Sequence, residues 1–388
     1  MTEDHELEQM HALACYAFNS TQTPSQKEAY KQVHRHSHNY GIVTDDGLQS
    51  QVVSYPFTVM IHGVPMKMSG IGDVSTYPEA RGQGGVRQLL THIFEELHEQ
   101  HVPLSYLSPF SQPFYRQFGY ERVFEGHEVI IPKEIMSDFP VETAGRVMRT
   151  SIGEEGILAI MSDLYGQTQG QEHGSLVRET WWTTYKHESR ERYLVAIVVD
   201  DEDVPRGYVV YELGDTVFHI RELVYINYFG LAKLLTFIGS HVSSFETFES
   251  TNIIDDSWLT LLPDTASIIR KQSDYMMARI VDMVSFIEQY PFKDIPEVGQ
   301  MTIRVKDDQC PWNDEIFQLS VKRGRAHCVP VSKVSKTHYE GSIQTFTQVF
   351  MNSITVSEAK RYGRLSHQGD ELLSTLLHKA SPCLYDYF

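Results

Sequence analysis

DVSTYPEARGQGGVR, residues 73–87, is the stretch that decides how this chain folds. A strand ends near Thr76, and a turn carrying Arg81, Gly82, Gly84 and Gly85 feeds a helix over 83–100. In that helix Leu89, Leu90, Ile93, Phe94 and Leu97 recur at the i, i+3, i+4 spacing of an amphipathic stripe. Glycines permit close backbone approach, and a first helical turn aims unpaired N–H groups and a partial positive charge outward. That is a pyrophosphate cradle, and Arg81 and Arg87 add charge beside it. A helix merely entered through a flexible turn accounts for the same residues equally well. The dinucleotide fingerprint is a near miss, because Gly82-x-Gly84-x-x ends in Arg87 and the preceding strand belongs to a meander.

Upstream, strand-like runs alternate with tight-turn punctuation at Asp45-Asp46-Gly47 and His62-Gly63, both hairpin signals. Residues 5–18 look helical. Downstream, VPLSYL at 102–107 reads as a short strand and FYRQFGY as a helix, which completes an α+β unit ending near 146. The middle third, 147–292, repeats this order in outline. ELVYINYFGLAKLLTFI stands where DVSTYPEARGQGGVRQLL stood, but with Asn227-Tyr228-Phe229-Gly230 in place of the Arg- and Gly-rich turn. Beyond Pro291 and Pro296, residues 293–388 read as a small α+β module around Cys310-Pro311-Trp312-Asn313.

The 388 residues suit two or three domains at about 150 residues each. Hydrophobic residues are 41% and charged residues 22%, which excludes a disordered or fibrous chain. The net charge of −18 argues against nucleic acid or an anionic membrane as partner, since both need a basic face. It permits a cationic small molecule. Cys15, Cys310, Cys328 and Cys383 form no C-x-x-C pair, so neither a disulfide framework nor a zinc ribbon is expected and a reducing cytoplasm fits. The acidic opening MTEDHELEQM is no signal peptide, and no run reaches 18 apolar residues. His34-x-His36-x-His38 lacks a clear fourth ligand and reads as a solvated polar stretch, so no metal is expected. Trp181 and Trp182 read as packing residues, and Trp312 as the pin of a hairpin.

The central turn resembles the coenzyme-A loop of the GNAT acetyltransferase superfamily, [QR]-x-x-G-x-[GA], here Arg81-x-x-Gly84-x-Val86. The departure at Val86 matches the Eis-type (enhanced intracellular survival) branch. The resemblance extends to SPFSQPFYRQFGYE at 108–121, to the degenerate middle copy, to CPWN and to the terminal LYDYF. It implies a fold of tandem GNAT units, with largely antiparallel mixed sheets and helices, followed by a sterol-carrier-like α+β domain. The divisions would be 1–146 catalytic, 147–292 without cofactor, and 293–388. Acetyl-CoA would be the cosubstrate. Its thioester would align on Val74, Ser75 and Thr76, its phosphates on Arg81, Gly82, Gln83, Gly84, Gly85, Val86 and Arg87, and its pantetheine along Phe110 and Ser111. A hexamer is implied as well.

Phe114 and Phe118, at i, i+4, are expected to face the core and to turn Tyr115 away from them toward the strand end. In the family this Tyr is the general acid for the departing thiolate. A phenol of pKa about 10 is protonated at neutral pH and can donate to a thiolate of pKa about 8.5. The tail Leu384-Tyr385-Asp386-Tyr387-Phe388 is dense in aromatic anchors where chain ends are usually polar. A tail docked on its own domain fits that composition. The resemblance implies more, namely a Phe388 carboxylate that takes the amine's proton through water. A carboxylate near 3.5 against an ammonium near 10 is mismatched by roughly 9 kcal/mol, which partial burial would have to reduce. Tyr387 replaces the acidic residue common at the penultimate position, so no carboxylate comes from there. The activity implied is N-acetylation of primary amines on a cationic, aminoglycoside-like small molecule. Two alternatives are acetylation of a protein lysine and a lipid or apolar-ligand carrier with a vestigial GNAT part.

Overall fold

Two helices, α1 (Asp4–Ala17) and α2 (Pro24–His34), precede a meander of β1 (His38–Thr44), β2 (Gly47–Ile61) and β3 (Val64–Thr76). The computed structural model describes residues 1–388 except 189, 191, 252–255, 263, 297, 333, 335–337 and 370. His62 and Gly63, with φ of +46° and +83°, make the two-residue hairpin between β2 and β3 that the sequence signals. The amphipathic helix α3 (Gly85–Glu99) buries Leu89, Leu90, Ile93, Phe94 and Leu97, the stripe read from the sequence. It leads to β4 (Leu104–Leu107), parallel to β3, and then to the short α4 (Gln112–Arg116).

Next come β5 (Glu121–Pro132), α5 (Lys133–Met136), β6 (Arg146–Thr150), α6 (Ile157–Gln167), α7 (Thr180–Glu188), β7 (Leu194–Val199), β8 (Pro205–Leu213) and β9 (Val217–Tyr225). Helix α8 (Tyr228–Gly239) then leads to β10 (Thr247–Thr251), which lies parallel to β9. This is the meander, helix and parallel strand a second time. The chain continues through β11 (Ile269–Ile280), α9 (Met283–Gln289), β12 (Val298–Lys306), β13 (Ile316–Lys322), β14 (Arg325–Pro330) and β15 (Tyr339–Ser342). It ends with α10 (Ile343–Phe350), α11 (Val356–Arg361), β16 (Leu365–His367) and α12 (Leu372–Leu376).

These elements pack as two compact units. One comprises residues 1–124, 172–177 and 275–388, and the other comprises 125–171 and 178–274. The two copies exchange their closing strands. β11, from the stretch after the second copy, pairs antiparallel with β4 through Met277–Ile280 in the first unit. β5, from the stretch after the first copy, pairs antiparallel with β10 in the second unit. Strand order is therefore β1-β2-β3-β4-β11 in the first unit and β5-β10-β9-β8-β7-β6 in the second. The first unit also holds a five-stranded sheet, β14-β13-β12-β15-β16, built from the C-terminal residues. Its GNAT-like core packs Ile71, Leu90, Ile93, Phe94, Tyr115, Phe118 and Tyr120 against Met277 and Val281 of the incoming strand and loop.

Candidate active site

Strand β3 does not run regularly into its end. Val53 pairs with Gly72 and Gln51 with Ser75, so two residues, Asp73 and Val74, stand opposite Val52 alone. This bulge bends the strand away from its neighbour and re-aims the side chains beside it. Asp73 carries φ of +49°, a left-handed conformation that Asp tolerates better than most residues. From within the bulge onward, Val74, Ser75 and Thr76 border a pocket of about 740 Å³.

The turn after β3 forms the pocket's other wall through Arg81, Gly82, Gly84, Gly85, Val86 and Arg87. Gly82 and Gly84 adopt φ of +77° and +81°, which side-chain-bearing residues resist. Gly85 lies so close to β2 that a Cβ there would sit 2.6 Å from Ser50 Oγ. The helix opens at Gly84 with no side-chain cap and no acidic residue in its first turn, so its dipole meets only the pocket. The Arg87 guanidinium is positioned by neutral partners, the side chains of Gln117 and Gln309 at 2.5 and 3.3 Å, and lies over the Phe118 ring. Its charge is left for an anion. A diphosphate fits such a cradle, and the pocket's volume suits an elongated cofactor.

The second copy makes the contrast. The Asn227 side chain caps α8 by accepting from the Gly230 N–H at 2.9 Å, and a Cβ on Gly230 would lie 2.3 Å from the Arg206 carbonyl. The Gly230 amide, which could have gripped a phosphate, is satisfied from within.

Ten of the twelve residues expected at the cofactor line the pocket. Gln83 and Ser111 do not, although Ser111 precedes α4 and Gln83 donates to the Glu79 carbonyl. The pocket also takes in Ala17, Phe18, Ala80, Phe114, Gln117 and Phe118. Sequence reasoning missed Phe18, whose signal was an aromatic left exposed at the end of an amphipathic α1.

Tyr115 corrects one expectation. The i, i+4 argument put Phe114 and Phe118 in the core and turned Tyr115 away from them; Phe118 is in the core, but Tyr115 packs against Phe114 with ring centroids 5.1 Å apart. In the structure Tyr115 is 2% exposed within the core, while the partly buried Phe114 borders the pocket. The cause is the length of α4, whose five residues end at Arg116, before Phe118 could share a stripe with Phe114. The Tyr115 ring stacks edge-on to Phe110 at 5.4 Å. Burial pushes its phenol above the ordinary value, and Tyr120 and Tyr387 add to the rise. Tyr115 thus stands between the pocket wall and the tail.

The tail is buried from Leu384 to Asp386, whereas Tyr387 is exposed and Phe388 partly so. Cys383 N–H donates to the His173 carbonyl at 2.7 Å, the Tyr385 hydroxyl to Glu172 at 2.8 Å, and the Tyr275 hydroxyl to the Asp386 carbonyl at 3.0 Å. Two glycines of β3 make room for the last residue. A Cβ on Gly70 would come within 2.8 Å of the Phe388 ring, and one on Gly72 within 3.6 Å of its carboxyl carbon. Phe57 and Tyr55 flank that ring at 5.0 and 6.4 Å between centroids. The terminal carboxyl therefore lies beside the start of the bulge.

His34 is not part of a solvated stretch. It closes α2, is 1% exposed, and bonds the Asp73 carboxylate through Nε2 at 2.9 Å and the Tyr30 carbonyl through Nδ1 at 2.7 Å. Among the described residues no cluster of metal-ligating groups occurs, and no helix is long and apolar enough to cross a membrane. Trp182 packs in a buried position, and Trp312 donates its indole N–H to the Val281 carbonyl while stacking on His98.

Residues 1–123 match the model of a GNAT acetyltransferase domain, residues 174–280 a second such model, and residues 283–385 a sterol carrier protein domain. A conserved protein of Enterococcus faecalis V583, described as a probable N-acyltransferase, is 34% identical with a TM-score of 0.91, covering 100% of this chain and 98% of that one. Two further structures share the fold at lower identity. A GCN5-related N-acetyltransferase from Anabaena variabilis has 23% identity and TM-score 0.85, covering 100% and 98% of the two chains. Eis1 from Mycobacterium abscessus has 15% identity and TM-score 0.81, covering 100% and 99%. No curated protein sequence matches.

Proposed function

The chain belongs to the GNAT acetyltransferases, in a form with two GNAT domains and a sterol carrier domain, and from that premise we propose that it acetylates primary amines of a cationic small molecule. Acetyl-CoA is the cosubstrate of such domains. Its diphosphate rests on the amides of Gly82 to Arg87 beside Arg81, and its thioester lies along Val74, Ser75 and Thr76, with Phe110 flanking the arm. The observation that carries this reading is the uncapped, glycine-opened N-terminus of α3 facing a pocket of about 740 Å³, set against the self-capped N-terminus of α8.

Transfer needs one bond made and one broken. The amine nitrogen bonds to the acetyl carbon, the carbon–sulfur bond breaks, and two protons must be handled. Tyr115 gives its proton to the departing sulfur. The Phe388 carboxylate receives the amine's proton through water, at the bulge where Gly70 and Gly72 admit it. The mismatch between ammonium and carboxylate requires the site to take up the amine in its neutral form or to disfavour its charge on binding. The first division, 1–146, houses the cofactor, the middle division keeps only the scaffold, and the last delivers the tail. In this reading the chains assemble as hexamers in the cytoplasm.

The test is thiol release from acetyl-CoA with a panel of amines, comparing the chain as it stands with one extended by a few residues past Phe388. Extension should lower kcat by about 100-fold, the scale of a lost general base, without changing the KM for acetyl-CoA. Equal rates from both would remove Phe388 from the mechanism. A thermal shift with an apolar ligand but none with acetyl-CoA would favour a carrier instead.

A further inference from the structure

Residues 172–177 come from the middle third of the sequence but pack in the first unit. They lie along the edge of β2. β1 pairs with that edge only over Gly47–Ser54, and this segment takes up the part beyond. The Met60 N–H donates to the Ser175 carbonyl at 2.8 Å, and the Gly174 and Val177 N–H groups donate to the Met60 and Thr58 carbonyls at 2.7 and 2.8 Å. Val59 faces Leu176 in an antiparallel bridge. The His173 ring stacks on His62, the turn residue between β2 and β3, with centroids 3.7 Å apart and planes at 11°. Its Nε2 donates to the Met351 carbonyl at 3.1 Å. Burial pushes both imidazoles down, His62 to about 3 and His173 to about 4, so at neutral pH two uncharged rings stack without repulsion. The segment is a fixed ledge.

The same ledge carries the tail. The Cys383 N–H donates to the His173 carbonyl at 2.7 Å, the Ser175 hydroxyl to the Cys383 carbonyl at 3.3 Å, and the Tyr385 hydroxyl to the Glu172 carboxylate at 2.8 Å. Gly174 permits this approach, since a Cβ there would sit 3.1 Å from the Cys383 carbonyl oxygen and 2.7 Å from the Phe124 ring. Further on, the Phe388 ring lies beside Phe57 and Tyr55, and apolar contacts of that kind are non-directional. Hydrogen bonds are directional and define a register. A slip of one residue along an extended tail would move the carboxyl by about 3.3 Å. A proton relay does not tolerate that, because each of its links must stay within about 2.6–3.2 Å.

We propose that Glu172 and Tyr385 are positioning residues for the terminal carboxylate, their hydrogen bond on the ledge setting where along β3 the chain ends. The inference rests on the assignment of Phe388 as the base. Neither residue touches the substrate. Of the three ties to the ledge, theirs lies nearest the chain end and is the one made by two side chains. A piece of the middle third thereby serves the chemistry of the first unit.

The experiment measures thiol release from acetyl-CoA, with kanamycin as acceptor, in the full chain and in Tyr385→Phe, Glu172→Ala and Glu172→Gln. Each is also made with a few residues added past Phe388. Tyr385→Phe keeps the buried ring and removes one oxygen, and melting curves verify that every variant is folded. Tyr385→Phe and Glu172→Ala should each lower kcat about tenfold with the KM for acetyl-CoA unchanged. Glu172→Gln keeps an oxygen acceptor and should recover most of that loss. In the extended chains, where the carboxyl is already displaced, the same substitutions should change kcat by less than about twofold. An unchanged kcat in both Tyr385→Phe and Glu172→Ala, or an equal loss in native-ended and extended chains, overturns the proposal while the role of Phe388 stands. A native chain that releases no thiol, or releases it no faster than the extended one, overturns the Phe388 assignment and this inference with it.

Discussion

Tyr115 combines a polar tip with a buried ring, and its surroundings set its chemistry. Burial raises its phenol above the ordinary value, so the group stays protonated through the alkaline range. The sign of the pH dependence follows. An acid that must be protonated, with a raised pKa, causes no loss of kcat up to pH 10. A profile of kcat against pH should show no descending limb up to pH 10, and a descending limb below pH 9 would exclude Tyr115 as the acid. Tyr115→Phe should lower kcat by about 100-fold or more and leave the KM for acetyl-CoA unchanged. The identity of this residue was visible in the sequence, but its orientation was not. The stripe argument assumes a helix long enough to have a face, and α4 stops after five residues.

At the scale of elements, two features build the site: the bulge in β3 and the open end of α3. The helix was legible because its stripe is regular and its glycines stand together before it. Hairpin turns were legible for a similar reason, since Asp-Gly and His-Gly mark positions where left-handed backbone is needed. The bulge was not. An extra residue in a strand leaves no periodic signature, and its only trace was an Asp, a poor strand former, at position 73. Nor did the sequence show that Gly70 and Gly72 are vacant so that Phe388 can lie on the strand. Gly70→Ala would place a methyl group 2.7 Å from the Phe57 ring and 2.8 Å from the Phe388 ring. We expect a stability loss of about 1–3 kcal/mol by chemical denaturation, as for an overpacked core. Displacement of the carboxyl should also cost kcat about tenfold, with the KM for acetyl-CoA unchanged. Unaltered kcat in a folded variant would separate the tail from the chemistry.

For the molecule as a whole, the sequence disclosed the repeat and the loss of turn chemistry in its second copy, because both are local patterns. It did not disclose the exchange of closing strands. Neither β5 nor β11 stands out as a strand in the sequence, and which sheet each joins depends on long-range pairing that alternation does not encode. The divergence of the copies has a global consequence: only the first should take the cofactor. The second has its helix end capped by Asn227. The net charge of −18 makes the open anion cradle in the first copy a local exception, dependent on Arg81 and Arg87. Calorimetric titration of acetyl-CoA into the full chain therefore tests the account most directly. It should give one site per chain, weakened about tenfold or more when Arg81→Ala and Arg87→Ala are combined. Absence of binding, two sites per chain, or an affinity indifferent to both substitutions would contradict it.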